Sequence, residues 1–467
     1  MIVEIATAMI VITKINYQTL NIMIPYKTPH FINQKIEDNF YAVVNSWQPN
    51  SLRVITQHQL DLLNLVDGVN SVEEIAKRLK IDSELVDSVL RLFIDSGIVK
   101  FSNIFDEYEK KSRKPNALNL WIHTTNKCNL TCNYCYISTL QTTGAMKPEV
   151  IKKLGDNLFK TAKNRKLKQI KIRLAGGEPL LQFKQWKPFI LEMQERFKEI
   201  GSEFSASFLT NLTFLSDEII DFAKENKIGF GVSLDGFDFY HDITRKFHNG
   251  KGSFDIVDKN LQILKDNGIR PSISTVVTGE NMEGLPALTE YLIEKGLHFR
   301  YSIVRGENIN RDRLSKILSE SYQIMEKAIE RGWNFANLHK LCDLKPSELG
   351  FQTCASGFSG GAVYVDGGVY FCHVQFGKDG EANGSIFEEN ADMLTLIERG
   401  SNYLGVRSDD CQTCNYKHIC TSGCPMYREE GKDPNCGIYH EFVPQIYRLM
   451  GKERLIKIKK MREPIQI

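Results

Sequence analysis

Three cysteines, Cys128, Cys132 and Cys135, stand in a C-x3-C-x2-C triplet. Three thiolates on one loop can hold three irons of a cubane 4Fe–4S cluster and leave the fourth iron open, whereas four thiolates would saturate it. An open coordination position is what catalysis at a metal needs and what a structural site lacks. Taken alone, the triplet also fits a zinc knuckle or an electron-transfer cluster with a distant fourth cysteine. No cysteine precedes Cys128, and the other eight fall between Cys342 and Cys436. Their intervals are Cys354-x12-Gly367-x4-Cys372, then Cys411-x2-Cys414-x5-Cys420-x3-Cys424, then eleven residues to Cys436. The odd total of eleven, in a chain whose start lacks the positive charge and cleavage site of a secretion signal, argues against a disulfide framework. It points to metal ligation in a reducing, cytoplasmic compartment. A further chemical signal is Gly176-Gly177-Glu178-Pro179, where two glycines let backbone approach a ligand closely, although such a pair alone is usually a turn.

These residues need elements to hold them. Strand-like runs at 118–123, 170–174, 204–209, 228–234, 273–277 and 299–304 alternate with helical segments, which gives six β/α units. Such alternation implies an α/β fold with a parallel sheet or barrel, whose active site lies at the C-terminal ends of the strands. The triplet follows the first of these strands and the Gly-Gly pair ends the second. Upstream, residues 39–56 read as a hairpin about Gln48-Pro49-Asn50-Ser51. Helices are predicted over 57–66, from a Ser71–Glu74 capping box, and from Asp82 to Gly97, before a short apolar run at 97–101. That order is the pattern of a small winged helix-turn-helix. The opening MIVEIATAMIVIT reads as a strand or a variable start, and 106–116 as a charged linker.

The chain has 467 residues, enough for two or three cores. Hydrophobic residues make up 42% without an apolar run long enough for a membrane span. Lys plus Arg (59) nearly balances Asp plus Glu (57), so no global field exists for nucleic acid. Between Asp61 and Asp95 acids outnumber bases, and a helix carrying Asp82, Glu84, Asp87 and Asp95 repels phosphates. Nucleic acid and membrane are therefore not expected partners.

The triplet, with Tyr134 before its third cysteine, and the GGEP stretch together resemble the radical S-adenosylmethionine (SAM) superfamily. The resemblance implies a partial (β/α)6 TIM-type barrel over 117–305 and SAM bound to an open cluster. It implies that the GGEP backbone (Gly176, Gly177, Glu178, Pro179) binds the SAM amino group. Ser233, Asp235 and Arg245 resemble positions that contact the SAM ribose and carboxylate, Arg245 being the candidate for the carboxylate. Ser207 and Asn211 are further ribose-side candidates.

The later cysteines resemble the SPASM extension of peptide- and protein-modifying radical SAM enzymes, expected over 351–440 after a bridging region at 306–350. A C-terminal helix and basic tail at 441–467 complete the chain. The resemblance implies two auxiliary 4Fe–4S clusters. One takes Cys411, Cys414, Cys420 and Cys436. The other takes Cys354, Cys372 and Cys424, with Cys342 as the candidate fourth ligand, or stays open.

The module at 1–105 resembles the RiPP recognition element, which pairs a strand edge with the leader of a ribosomally made, post-translationally modified peptide. The expected protein is thus a cytoplasmic radical SAM/SPASM maturase that installs a C–C or C–S cross-link in a ribosomal precursor peptide. Its reductant is expected to be a protein such as flavodoxin or ferredoxin. His373, directly after Cys372, is the candidate proton acceptor. The runner-up is a maturase of a folded protein, of the anaerobic sulfatase-maturating type, which carries an Asp where this chain has His373. A redox-sensing DNA-binding regulator is the alternative from another class.

Overall fold

The computed structural model describes residues 24–105, 114–139, 144–307, 309–334, 340–341, 344–345, 352, 354–376 and 381–462. The expected opening strand, most of the linker and Cys342 lie outside the described residues.

The N-terminal part comprises β1 (Tyr26–Lys27), β2 (Phe31–Glu37), β3 (Phe40–Asn45), β4 (Arg53–Thr56), α1 (Gln57–Asn64), α2 (Val72–Leu79), α3 (Ser83–Arg91) and β5 (Val99–Lys100). The hairpin is β3 with β4, and β2 pairs antiparallel on its other side, so β2 and β4 form the edges of a three-stranded sheet. β1 pairs antiparallel with β5. Alternation along β3 and β4 turns Val43 and Ile55 toward Leu63, Ile75 and Leu90 of the helices, while Ala42 faces away from them. The Ser71–Glu74 box is formed in both directions, at 2.8 and 3.2 Å, and Thr56 with Gln59 makes a second. Each cap contributes about 1 kcal/mol.

One expectation needs correction. The helix that starts at Asp82 stops at Arg91 and does not reach Gly97. Leu92, Phe93 and Ile94 close tight i–3 turns, and Ile98 folds back to the Phe93 carbonyl through Gly97 at φ +62°. The chain reverses there so that Phe93 and Ile98 are both buried.

The six strands read from the sequence are β6 (Ala117–His123), β7 (Gln169–Ala175), β8 (Glu203–Thr210), β9 (Gly229–Ser233), β10 (Ser272–Val277) and β11 (His298–Ile303). Between and after them run α4 (Pro148–Arg165), α5 (Phe183–Glu199), α6 (Asp217–Asn226), α7 (Phe239–Asp242), α8 (Phe254–Asp266), α9 (Leu285–Glu294) and α10 (Arg311–Glu330). All six pair in parallel, in sequence order. Alternate residues, Leu118, Leu120 and Ile122 on β6 and Ile170, Ile172 and Leu174 on β7, are fully buried in the main core with Trp186, Ile190 and Met193 of α5. The intervening residues, among them Trp121, Arg173 and Ser207, therefore face the opposite side of the sheet.

The sheet continues beyond these six. β12 (Lys340–Leu341) lies parallel outside β11, and β13 (Gly360–Val363) lies parallel beside β6. β14 (Gly368–Tyr370) and β15 (Gly384–Ser385) follow antiparallel, giving ten strands in one sheet. α11 (Met393–Glu398), α12 (Asp409–Thr413) and α13 (Cys436–Arg462) complete the order. α13 packs on α10, where Arg448 and Lys452 pair with Glu326, and then crosses the N-terminal sheet, where Leu455 meets Ile36 and Ala42. The fold is thus α/β with a mostly parallel central sheet. Among the described residues no helix is long and apolar enough to cross a membrane.

Candidate functional site

The triplet loop leaves the end of β6 and lies directly on the Gly-Gly stretch that ends β7. Gly177 N–H donates to Thr125 O at 2.6 Å and Glu178 N–H to Lys127 O at 2.9 Å. A Cβ on Gly176 would stand 2.5 Å from Thr125 O, and one on Gly177 2.0 Å from Lys127 O. Gly176 also has φ +132°, so both positions require glycine. The close approach these glycines permit is to the cysteine loop itself.

Glu178 is fully buried, and its carboxylate accepts from Thr210 Oγ1 (2.7 Å), Asn211 N–H (2.7 Å) and Leu180 N–H (3.0 Å). Burial pushes its pKa up against these hydrogen bonds. Its side chain therefore ties β7 to β8. Pro179 opens the 3-10 turn Pro179–Gln182 that follows. Asn211, expected from the sequence as a ribose-side residue, straps the loop: Nδ2 donates to Asn129 Oδ1 at 2.9 Å and sits 3.7 Å from Cys128 Sγ. Thr131 and Asn133 N–H groups bond the Lys246 and Thr244 carbonyls, which holds the far side of the loop.

Tyr134, Asp235 and Arg245 come together beneath the loop. Tyr134 donates its hydroxyl proton to Asp235 Oδ2, and Arg245 Nη1 reaches Tyr134 Oη at 2.5 Å and Asp235 Oδ2 at 3.3 Å. Burial works against the Arg245 charge, while the adjoining Asp235 carboxylate holds it protonated. The same burial lifts Tyr134 well above the ordinary phenol range. Arg245 Nε is buried without a hydrogen-bond partner among the described residues, and a buried orphan donor fits an anionic ligand. Ser233, half-buried, pairs across the sheet with Ser274. Ser207 lies lower, between Arg173 and Gly229, away from the loop.

Cys128, Cys132 and Cys135 lie within one another's electrostatic reach, and burial pushes Cys132 up to about 12. The C-terminal cysteines sort into two sets. Cys420 feels Cys414, Cys436 and Cys411, while Cys372 feels Cys354 and Cys424. Burial raises Cys420 and Cys372 to about 12. Gathered thiols that resist ionisation demand a strong cation to hold them as thiolates, and an iron–sulfur cluster supplies one. Among the described residues, no three His, Cys, Asp or Glu side chains are grouped as the ligands of one metal ion.

His373 stacks on Trp121 with ring centres 3.9 Å apart, and its Nδ1 lies 3.6 Å from Cys372 Sγ. Burial lowers its pKa to about 4, so the ring is neutral near pH 7. The sequence reading missed His123. It ends β6 on the same sheet face as Trp121, its Nε2 bonds Asn126 Oδ1 at 2.6 Å, and burial lowers it to about 4 as well. Its position at a strand end just before the triplet was the available signal.

The N-terminal part touches the outer cysteine set. Trp47 Nε1 donates to Cys414 O at 3.2 Å, and His30, stacked on Trp47 at 3.6 Å, bonds Asn415 Oδ1 at 3.0 Å. Lys417 lies 4.6 Å over the Trp47 ring.

Comparison with known proteins agrees with this geometry. The radical SAM superfamily matches residues 122–292. A serine-type anaerobic sulfatase-maturating enzyme of Bacteroides thetaiotaomicron is 30% identical over 369 residues, covering 68% of this chain and 86% of that protein. Solved structures share the fold. Native anSMEcpe with bound AdoMet and Cp18Cys peptide aligns at TM-score 0.61 and 22% identity, over 73% of this chain and 99% of that one. Streptococcus suis SuiB bound to precursor peptide SuiA aligns at TM-score 0.50 and 16% identity, over 88% and 99%. The chain belongs to the radical SAM superfamily, which implies SAM and a 4Fe–4S cluster as its cofactors.

Proposed function

We propose that this protein is a radical SAM/SPASM maturase that installs a C–C or C–S cross-link in a ribosomal precursor peptide. The observation that carries the reading is the sorting of the C-terminal cysteines into Cys411/Cys414/Cys420/Cys436 and Cys354/Cys372/Cys424, the two sets the SPASM resemblance implies. The barrel over 117–305 then carries the reacting centre and the 351–440 region two auxiliary clusters, with Cys342 as the candidate remaining ligand.

In this reading Cys128, Cys132 and Cys135 hold the cluster that meets SAM. When bound, the pair supplies a 5′-deoxyadenosyl radical able to take hydrogen from an unactivated carbon. The chain's own residues orient and enclose. The Gly176–Gly177 stretch and Asn211 fix the cysteine loop, and Arg245 presents Nε to the SAM carboxylate. Ser233 and Ser207 offer hydroxyls from the strands, Ser207 the more distant. A link formed with loss of two hydrogens is a net oxidation, and the seven C-terminal cysteines hold the outlet for the remaining electron. His373, a neutral imidazole stacked on Trp121, takes the proton released as the link closes.

The N-terminal part supports a peptide substrate. Three helices and a three-stranded sheet whose β2 and β4 edges pair with no further strand among the described residues suit a leader bound by strand addition. The protein neighbours of known structure hold peptides, SuiA in SuiB and Cp18Cys in anSMEcpe. A protein such as flavodoxin or ferredoxin would deliver the electron. A second reading, maturation of a folded protein, draws on the 30% identity to a sulfatase-maturating enzyme, and His373 in place of Asp counts against it.

Co-expression with the small reading frame beside the gene, followed by mass measurement, tests the proposal. A loss of about two mass units per link, abolished in the Cys128/Cys132/Cys135→Ala protein, is the expected result. An unchanged mass, or an oxidised Cys or Ser in a folded partner, would overturn it.

A further inference from the structure

A basic hairpin lies against the cysteine triplet. Residues 246–252 fold back on themselves, with Phe247 N–H donating to Lys251 O and Gly250 N–H to Phe247 O, both at 2.9 Å. The hairpin runs along the triplet loop. Leu130 and Phe247 form an antiparallel bridge, Thr131 N–H donates to Lys246 O at 2.7 Å, and His248 Nε2 donates to Cys128 O at 3.0 Å. From the end of β8, Thr213 Oγ1 accepts from Asn129 Nδ2 at 2.7 Å. The next residue, Phe214, leaves 43% of its surface exposed.

The two segments that meet here, 127–135 and 245–252, contain Lys127, Arg245, Lys246, His248 and Lys251 and no acid. Arg245 is buried against Asp235, whereas Lys127, Lys246, His248 and Lys251 are exposed. Among the described residues these three lysines form no ion pair. One acid, Glu280, reaches the loop at its other end, through Asn133 Nδ2 at 2.6 Å. The result is a positive surface around an exposed aromatic ring, fastened by hydrogen bonds to the loop that carries the triplet.

A cluster on Cys128, Cys132 and Cys135 must receive an electron before SAM is cleaved, and electron tunnelling weakens steeply with distance. The exposed His248 ring contacts the carbonyl of a cluster ligand directly. A carrier seated on this hairpin therefore stands one side chain away from the ligand loop.

We infer that Lys127, Lys246 and Lys251, set around His248 and Phe214, form the docking surface for an acidic flavoprotein that delivers this electron. Opposite charge steers such a carrier onto the surface and aligns it there. An exposed aromatic among cations suits the bare ring edge of a flavin, and buried aromatics carry much of the affinity of an interface. In the step itself one electron passes from the carrier's reduced flavin to the cluster. The carrier is oxidised by one electron, the cluster is reduced by one, and no bond or proton is exchanged. The inference rests on the triplet's cluster and is independent of the cross-link reading.

The test mixes the full chain, with clusters reconstituted and SAM bound, with reduced flavodoxin as the acidic flavoprotein, and follows flavin oxidation by stopped flow. Each rate is divided by that with photoreduced 5-deazariboflavin, a small uncharged reductant that needs no docking. The wild-type ratio should fall about tenfold between about 20 mM and about 500 mM salt. Lys246→Glu/Lys251→Glu should lower it about 30-fold at low salt and flatten the salt dependence. Lys152→Glu/Lys163→Glu on α4, with the same change in net charge, should stay within about twofold of the wild type. The milder Lys246→Gln/Lys251→Gln should lower the ratio about fivefold and keeps the test readable if charge reversal unsettles the loop. Phe214→Ala should lower it about fivefold at every salt concentration without changing the slope. A salt-independent wild type, or hairpin variants that match the α4 control, overturns the inference. So does a ferredoxin whose rate depends on these lysines when that of flavodoxin does not. A deazariboflavin rate and cluster midpoint potential that move in the variants, with the ratio unchanged, would assign the lysines to cluster charge and overturn it too. Iron content and deazariboflavin-driven deoxyadenosine release, measured on the same samples, report separately on the cluster itself.

Discussion

The cysteine triplet at the C-terminal ends of the parallel strands and the outer quartet are held in different ways. Cys128, Cys132 and Cys135 come from one loop, fastened by backbone hydrogen bonds to the ends of neighbouring strands and underlain by Tyr134, Asp235 and Arg245. Cys411, Cys414, Cys420 and Cys436 come from a short helix, a loop and the first turn of α13. They are assembled by tertiary docking, with Trp47 of the N-terminal part on the Cys414 loop. A single loop with a buried orphan donor is built to receive a further ligand. A quartet drawn from three elements is built to be closed, and its integrity depends on residues far away in sequence.

That contrast can be broken from either side. The largest effect is expected from Gly177→Ala. Its Cβ would meet the Lys127 carbonyl at 2.0 Å, a backbone atom that cannot turn aside, so the triplet loop must move. SAM cleavage should fall by about 100-fold or more, since loss of loop geometry removes positioned ligands, while the iron of the C-terminal sets is retained. Normal cleavage by this variant, measured as deoxyadenosine release, would mean that the contact is not what fixes the loop.

Trp47→Ala attacks the other side. The half-buried ring loses its stack on His30, its hydrogen bond to Cys414 O and the Lys417 contact, a cost of roughly 2 kcal/mol. Melting should begin at a lower temperature, and chelators should strip iron from the quartet before the triplet. Equal rates of loss from both would erase the distinction drawn here.

A smaller effect concerns His123. Burial lowers its pKa from 6.5 to about 4 in the folded chain, so between those values the unfolded chain binds the extra proton. Its contribution is therefore fully present above about pH 6.5 and is lost as pH falls toward 4. The stability of the iron-free protein should slope upward with pH across that window, and His123→Gln should flatten the slope. An unchanged slope would place the titration elsewhere.

Much of this was legible in the sequence. The six barrel strands stood out because alternate residues such as Ile170, Ile172 and Leu174 are apolar and bounded by turns, and the Ser71–Glu74 box marked its helix start. The cysteine intervals stood out as spacings, and their division into two sets came from the resemblance to the SPASM extension. β2, Phe31–Glu37, was missed: Asn33, Gln34 and Lys35 break its apolar pattern, and part of its cover, Leu455, is supplied by α13. The sheet's extension through β13 was equally hidden, since Gly360 and Gly361 carry no strand propensity and fit there because no side chain intrudes. Asn211 and Arg245 were placed at the C-terminal end of the strands, while their contacts within the chain, to Asn129 and Asp235, were not foreseen. Strap and ion-pair partners such as Asn129 and Asp235 lie distant in sequence, and no local pattern pairs them. The reversal at Phe93–Ile98 escaped for the same reason, a tertiary demand for burial overriding a helical pattern.

The central claim is that the triplet holds an open cluster that binds SAM while the C-terminal sets hold two more. Iron counting with electron paramagnetic resonance on the reduced, reconstituted protein tests it most directly. The wild type should hold about 12 irons and show a signal that changes on adding SAM. The Cys128/Cys132/Cys135→Ala protein should hold about eight and show no such change. A SAM-induced change that persists in the triple variant, or an iron content that does not fall, would contradict the account.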